Sequence, residues 1–302
     1  MRIFVTGANG FVGHWLAREL IANGHAVVET PGPETLDIAD RAAVRQWLDD
    51  PAGPPDAVVH LAGMAFAPDA GADPAEAFRV NVGGTVTLFE ALRELGIRPP
   101  VLVSGSADVY GTPDRARLPL VEDALVAPQT PYALSKAAQE GVAAEAAGRF
   151  GFPVVVTRSF NHTGPGQRPV FVVPAMAARI VAVKRGQSAT IPVGNVDVVR
   201  DMTDVRDVVA AYRLLIEPEH QPRPGECVIV NVASGQSYSI RNLVHRMCEI
   251  AGIPPLLERE PSLLRKDDAA EIRGDASNLR RRTGWQPAIP LDQTLADVLA
   301  SV

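Results

Sequence analysis

The chain opens MRIFVTGANGFVG (residues 1–13), and this stretch decides the fold. The apolar run at 2–6 predicts a buried strand, and helical spacing begins near residue 11. Gly7, Gly10 and Gly13 stand between the two. Glycines at such a junction permit a tight turn, close backbone approach to a pyrophosphate and close helix–strand packing. The helix N-terminus then faces the anion with its free N–H groups and its dipole. A glycine triplet alone also fits an ordinary turn. Its place after a first strand and before a helix points to a dinucleotide site.

Outward from this loop, short apolar runs alternate with helical patterns. RIFVT (2–6), AVVE (26–29), AVVHLA (57–62), VLVS (101–104) and VVVTRS (154–159) predict buried strands. Helical spacing falls near 11–23, 40–49, 75–95 and 131–149. This rhythm predicts an α/β fold: a Rossmann-type doubly wound parallel sheet covered on both faces. After residue 160 the character changes. NHTGPGQRP is a loop, 170–185 predicts a helix, ATIPVG a short strand, 204–216 a helix, CVIVNVA (227–233) a strand, and 291–300 a last helix. The expected division is a dinucleotide-binding domain over 1–160, with return segments near 197–235, and a smaller C-terminal substrate-binding lobe mainly over 161–302. That lobe looks too small and broken to stand alone.

Composition narrows the function classes. In 302 residues no apolar run approaches the ~20 that a membrane-spanning helix requires. The N-terminal stretch predicts a strand rather than a signal peptide. Cys227 and Cys248 cannot make a disulfide framework or a zinc site, so no metal is expected. The net charge of −6 argues against a nucleic-acid partner. A soluble cytoplasmic protein with no membrane partner is the expectation.

An acidic residue about 20 positions after the loop would clamp the ribose hydroxyls. Here the strand end falls at Thr30 and Pro31, Glu29 sits two residues early, and no Arg follows to meet a 2′-phosphate. NAD and NADP both stay open. Asp37 in LDIAD is a candidate for the adenine edge, and equally for a helix cap.

YALSK places Tyr132 and Lys136 one turn apart on a predicted helix. A phenol beside a fixed ammonium is expected to have a lowered pKa. Lys136 stands out because the chain has 29 Lys plus Arg but only three Lys, at 136, 184 and 266. VSGSADVYG puts Ser106 at the carboxyl end of the fourth strand, where open α/β sheets bind ligands.

At these residues the chain resembles the extended short-chain dehydrogenase/reductases, the NAD-dependent epimerase/dehydratase family. TGANGFVG, HLAG (60–63), NVGGT (81–85), SADVYG (106–111), YALSK and GDASNLRRRTGW (274–285) follow that family's order and spacing over almost the whole chain. The resemblance implies Ser106, Tyr132 and Lys136 as catalytic residues and NAD(P)(H) as cofactor. It implies cofactor contacts from Gly7, Asn9, Gly10, Phe11, Val12, Gly13, Asp37, Ile38, Leu61, Ala62, Gly63, Asn81, Tyr132 and Lys136. For Asn81 a structural helix role is the safer assignment. RSFNHTGPGQ (158–167) and GNVDVVRDMTDVRDVVAAY (194–212) resemble the enzymes of GDP-deoxysugar synthesis. By position Asp108, Asn161, Arg179, Arg200 and Arg265 match substrate-binding residues, and Arg suits a diphosphate. His60 is expected to pack near the cofactor, and His162 lies in the substrate loop.

The dehydratase pattern has Glu two positions after the catalytic Ser/Thr, to serve the elimination. Here Ala107 and Asp108 follow Ser106, and the reductases resemble this chain in having Asp at the second position. The expectation is reduction of the C4 ketone of a nucleotide-linked 4-keto-6-deoxyhexose. A 4-epimerase or 4,6-dehydratase with tightly bound NAD(P) is the enzymatic alternative. A non-catalytic dinucleotide-binding regulator would have lost the Ser–Tyr–Lys set, which is present. Val86, Leu88, Phe89, Leu92 and Leu95 of one helix and Leu134, Ala138, Gly141, Val142 and Ala146 of another predict a two-fold homodimer built on four helices.

Overall fold

The computed structural model describes residues 1–264 and 269–302. Strands β1 (Arg2–Thr6), β2 (Ala26–Glu29), β3 (Ala57–His60), β4 (Val101–Ser104), β5 (Val154–Ser159) and β6 (Cys227–Val232) form the main sheet. All pairings are parallel, and the order is β6-β5-β4-β3-β1-β2.

Side chains alternate across each strand, and both faces are covered. Ile3, Val5, Ala57, Val59, Leu102 and Val155 enter one apolar layer with Leu16 and Leu20 of helix α1 (Phe11–Ala22) and Val208, Val209 and Tyr212 of helix 205–216. Phe4, Val58, Val101, Val103, Val154 and Val156 enter the opposite layer with Val44, Leu88, Leu92, Ala143 and Ala147. This two-sided burial is why the strands read as unbroken apolar runs instead of alternating ones.

The expected helix at 75–95 is a helical run of three pieces: Pro74–Phe78, a π-turn at Arg79–Gly83, and Gly84–Glu94. One correction follows for the predicted dimer helices. Leu88, Phe89 and Leu92, and Ala146 of the second helix, are buried in the chain's own core, against Phe152 and the sheet. Val86 and Leu134 remain exposed.

The second lobe has an apolar core of its own. Val173, Met176 and Ile180 of helix Val172–Lys184 pack with Leu243, Val244 and Met247 of helix Ile240–Ala251 and with Leu295 and Val298 of helix Leu291–Ala300. Helix 240–251 escaped the sequence reading.

Candidate active site

The sheet order reverses at β1, with β2 on one side and β3 on the other. Ligands bind such sheets at the reversal, beyond the carboxyl ends of the strands. Gly7, Gly10 and Gly13 line that point. Gly7 has φ 71°, a conformation that disfavours side chains, and a Cβ there would lie 2.7 Å from the Ala62 nitrogen. A Cβ on Gly13 would lie 2.3 Å from the Gly7 carbonyl oxygen. Gly10 caps α1 without a side chain, and the first turn carries no acidic residue. The helix N-terminus is thus backbone N–H groups and no competing carboxylate, a cradle that fits a pyrophosphate.

Thr30 answers part of the ribose question. Its hydroxyl accepts the Gly7 N–H at 3.0 Å, so it fixes the loop, while Glu29 before it is exposed. The Asp37 carboxylate accepts the Ala39 N–H at 2.9 Å and pairs with Arg79 at 2.6 Å. These bonds, the Ala39 one first, hold Asp37 below the usual carboxylate range. Arg79, which no sequence motif flags, therefore stands beside a residue matched to the adenosine end.

Past β4, the Ser106 hydroxyl caps the short turn Ala107–Tyr110 by accepting the Asp108 N–H at 3.2 Å. Thr130 caps helix Pro131–Phe150 through the Ala133 N–H at 3.1 Å, which starts the helix just before Tyr132. Tyr132 and Ser106 are both buried, and the serine hydroxyl is near enough to the phenol to favour its ionised form.

The expected lowering of the Tyr132 pKa is not what the geometry produces. Burial pushes the phenol up, and the Asp108 charge adds to this, against the Ser106 hydrogen bond. Lys136 turns to other acceptors: its Nζ donates to the Ser104 carbonyl and to Gln139 Oε1, both at 2.9 Å. Burial lowers the Lys136 pKa to about 8, with Glu140 opposing. Tyr132 therefore holds its proton firmly, and Lys136 is the group that titrates near neutrality.

The β3 loop is locked against this helix. Asn81 accepts the Met64 N–H at 2.7 Å and donates from Nδ2 to Ser135 Oγ at 2.9 Å and to the Met64 carbonyl at 3.3 Å. Its amide is spent on holding the 61–64 backbone to the Tyr132 helix, the structural role. Gly63 sits beneath: a Cβ there would lie 2.8 Å from Asn81 Oδ1 and 3.5 Å from Lys136 Nζ. His60 is buried between Thr6, at 2.8 Å from Nδ1, and Thr85, at 3.0 Å from Nε2.

The second lobe docks on α1 through the NHTGPG loop. The His162 ring stacks on Phe11 at 6.3 Å and donates from Nδ1 to the Phe160 carbonyl, and Trp15 donates to the Pro165 carbonyl at 3.1 Å. Burial lowers the His162 pKa. Asn161 is exposed, with its carbonyl held by the Thr203 N–H at 3.0 Å. Arg179 donates to the Pro192 carbonyl at 2.7 Å, and burial weakens its hold on its proton. Among the described residues it has no carboxylate partner. Arg200 donates to the Val199 and Ala269 carbonyls, each at 2.8 Å. Arg265 lies outside the described residues. Phe66, beyond β3, meets Phe171 of the second lobe edge-on at 5.2 Å, a bridge between the lobes that sequence spacing does not reveal.

A glycine-lined pyrophosphate cradle beside a buried Ser–Tyr–Lys group defines a dinucleotide-dependent oxidoreductase. The chain belongs to the NAD dependent epimerase/dehydratase family, whose model matches residues 3–233. The family comprises NAD(P)-dependent enzymes that modify nucleotide sugars. The chain is 36% identical to GDP-6-deoxy-D-mannose reductase of Pseudomonas aeruginosa, over 99% of this chain and 96% of that one. The structure of RMD from Pseudomonas aeruginosa complexed with NADPH matches with a TM-score of 0.90, covering 99% of this chain and 98% of that one at 36% identity. GDP-6-deoxy-D-talose 4-dehydrogenase of Aggregatibacter actinomycetemcomitans is 31% identical over 92% of this chain and 90% of its own. No helix among the described residues is long and apolar enough to cross a membrane.

Proposed function

We propose that the protein reduces the C4 ketone of a nucleotide-linked 4-keto-6-deoxyhexose, with GDP-4-keto-6-deoxy-D-mannose as substrate. The observation that carries this is the pair after Ser106. Ala107 is buried and has no proton to move, and Asp108 is exposed on the short turn. An elimination needs a carboxylate placed at the sugar's C5 and C6 side, and a displacement of about an ångström can cost ~100-fold. A simple ketone reduction needs only a proton donor and a clamp for the carbonyl oxygen. The likeness to a GDP-6-deoxy-D-mannose reductase supports the same choice.

The glycine cradle, with Asn9, Phe11, Val12, Ile38 and Leu61–Gly63 around it, would hold NAD(P)H, which when bound supplies the hydride. Tyr132 donates its proton to the oxygen at C4 as negative charge develops there, and its raised proton affinity keeps it charged with that proton at neutral pH. Ser106 hydrogen-bonds the same oxygen. Lys136 lies one turn along the helix from Tyr132; it would hold the ribose of the bound cofactor and restore the tyrosine proton. Arg179 and Arg200, with Asn161, would take the sugar nucleotide in the second lobe.

Incubation with GDP-4-keto-6-deoxy-D-mannose and either NADH or NADPH tests the proposal. Both should support loss of reduced-nicotinamide absorbance, because Thr30 at the strand end is spent on the Gly7 N–H and Glu29 is exposed two residues before Pro31. A preference above ~1,000-fold, about 4 kcal/mol of selective contact, would contradict that equality. NMR of the product decides between GDP-6-deoxy-D-mannose and its C4 epimer. Sugar interconversion without net cofactor consumption would point to an epimerase instead.

The active form proposed is a two-fold homodimer on the helices 84–94 and 131–150. Exposed Val86 and Leu134, with Gly141 exposed between turns, leave a small-residue apolar face there.

A further inference from the structure

Lys136 is buried, and one of its two acceptors is a side chain: Gln139 Oε1, one turn along the same helix and 1% exposed. An amide can present either end to a neighbour. Here the far side fixes which, because Gln139 Nε2 donates to Thr85 Oγ1 at 2.8 Å. The single Thr85 hydroxyl proton goes to the Asn81 carbonyl at 2.7 Å. Thr85 Oγ1 can then only accept, so the His60 Nε2 at 3.0 Å must carry its proton. His60 Nδ1 becomes the acceptor of the Thr6 hydroxyl at 2.8 Å, and Thr6 Oγ1 in turn accepts the Ala62 N–H at 3.1 Å. Each proton in this buried chain has one place. The chain runs from the last residue of β1, at the root of the glycine loop, to the catalytic ammonium.

We propose that Gln139 is a positioning residue of the active site: it sets the Lys136 ammonium, and Thr85 and His60 fix the amide orientation that lets it do so. The proposal rests on the assignment of Lys136 to catalysis. A neutral amide holds the ammonium without cancelling its charge. A leucine would leave the ammonium one acceptor short, and a glutamate would bind its proton more tightly. Among the described residues, the charge that acts on it is Glu140 on its own helix, paired to Arg158 on β5, and its own charge reaches His60 on β3; Cys227 on β6 faces Glu140, and Asp108 beyond β4 faces Tyr132. Burial and the Lys136 charge lower His60 to about 3, so it stays neutral and keeps the tautomer the chain requires.

The chain has three lysines, so ¹⁵N-lysine labelling gives three Nζ signals, and Lys136→Arg identifies one of them. In the unliganded protein that signal should titrate near pH 8. Gln139→Leu should lower the midpoint by about one to two pH units, the size of one charge-assisted hydrogen bond. Gln139→Glu, nearly the same in shape, should raise it above wild type. Thr85→Val should lower it less than Gln139→Leu does. The His60 ring nitrogens should show the Nε2–H tautomer down to about pH 5, well above where burial places its titration. A midpoint unchanged in Gln139→Glu overturns the proposal whether or not the leucine variant folds. A His60 protonated at Nδ1 overturns it independently. The titration needs neither sugar nor dinucleotide, so its failure is separate from any failure of the reductase assignment, which wild-type turnover decides.

Discussion

The two sides of the crevice treat their polar groups in opposite ways. On the sheet side His60, Asn81, Thr85, Gln139 and Lys136 are buried, and each is satisfied by another group of the same chain. On the second-lobe side Arg179 is half-buried and donates to a backbone carbonyl, with no carboxylate beside it among the described residues. A closed network of hydrogen bonds is rigid before any ligand arrives. A half-buried cation without a counter-charge carries a desolvation cost that an anionic ligand relieves. On the proposed reading, the difference separates a preformed half, which would do the chemistry, from a half whose electrostatics an anionic substrate would complete.

The largest effect expected is on the preformed half. Tyr132→Phe should lower turnover by ~100-fold or more, since one positioned acid commonly contributes that much. Dinucleotide binding, followed by the fluorescence of the reduced cofactor, should change little. Near-normal turnover would remove Tyr132 from the chemistry and break the contrast on its catalytic side.

The next effect belongs to the second lobe. Arg179→Met should raise KM for the nucleotide sugar by ~10–100-fold, the value of one hydrogen bond to a charged group. Turnover at saturation and cofactor affinity should stay close to wild type. A KM that does not move would show that Arg179 serves the lobe's own packing.

A smaller effect is set by pH. Below about pH 8 Lys136 is protonated, and above it the charge is lost. Turnover should therefore fall on the alkaline side through a one-proton limb near that value, while Tyr132, pushed up by burial, still holds its proton. Lys136→Arg should lower turnover and erase the limb, because a guanidinium does not deprotonate there. His60, lowered to about 3, should contribute no acid limb in the working range. A limb that survives in Lys136→Arg would assign it to another group.

How much of this was legible follows the physics of each element. The strands of the sheet were readable because burial on both faces leaves continuous apolar runs, and the glycine loop because Gly7 and Gly13 meet backbone that no Cβ could share. The faces of helix 84–94 were not. Its apolar residues fall at mixed spacing, and only the packing of Phe89 on Phe152 shows that the core claims most of them. One-turn spacing put Lys136 beside Tyr132, yet spacing cannot say where an ammonium turns, and here it turns to Ser104 and Gln139. Thr85 and Gln139 are 54 positions apart and form no motif, so their contact exists only in the fold.

The smallest effect concerns assembly. Light scattering at micromolar concentration should give twice the monomer mass, and Ala138→Arg with Val142→Glu should abolish the dimer by burying unpaired charge, at a cost of several kcal/mol. A dimer that survives both substitutions would move the interface elsewhere.

The central claim is hydride delivery to C4 of a 4-keto sugar nucleotide, and isotope transfer tests it most directly. NAD(P)H deuterated at the transferable position of the nicotinamide is incubated with the protein and GDP-4-keto-6-deoxy-D-mannose. The account predicts that one deuterium appears at C4 of the product sugar for each cofactor oxidised. A product without deuterium at C4, or sugar turnover with no net cofactor oxidation, would contradict it.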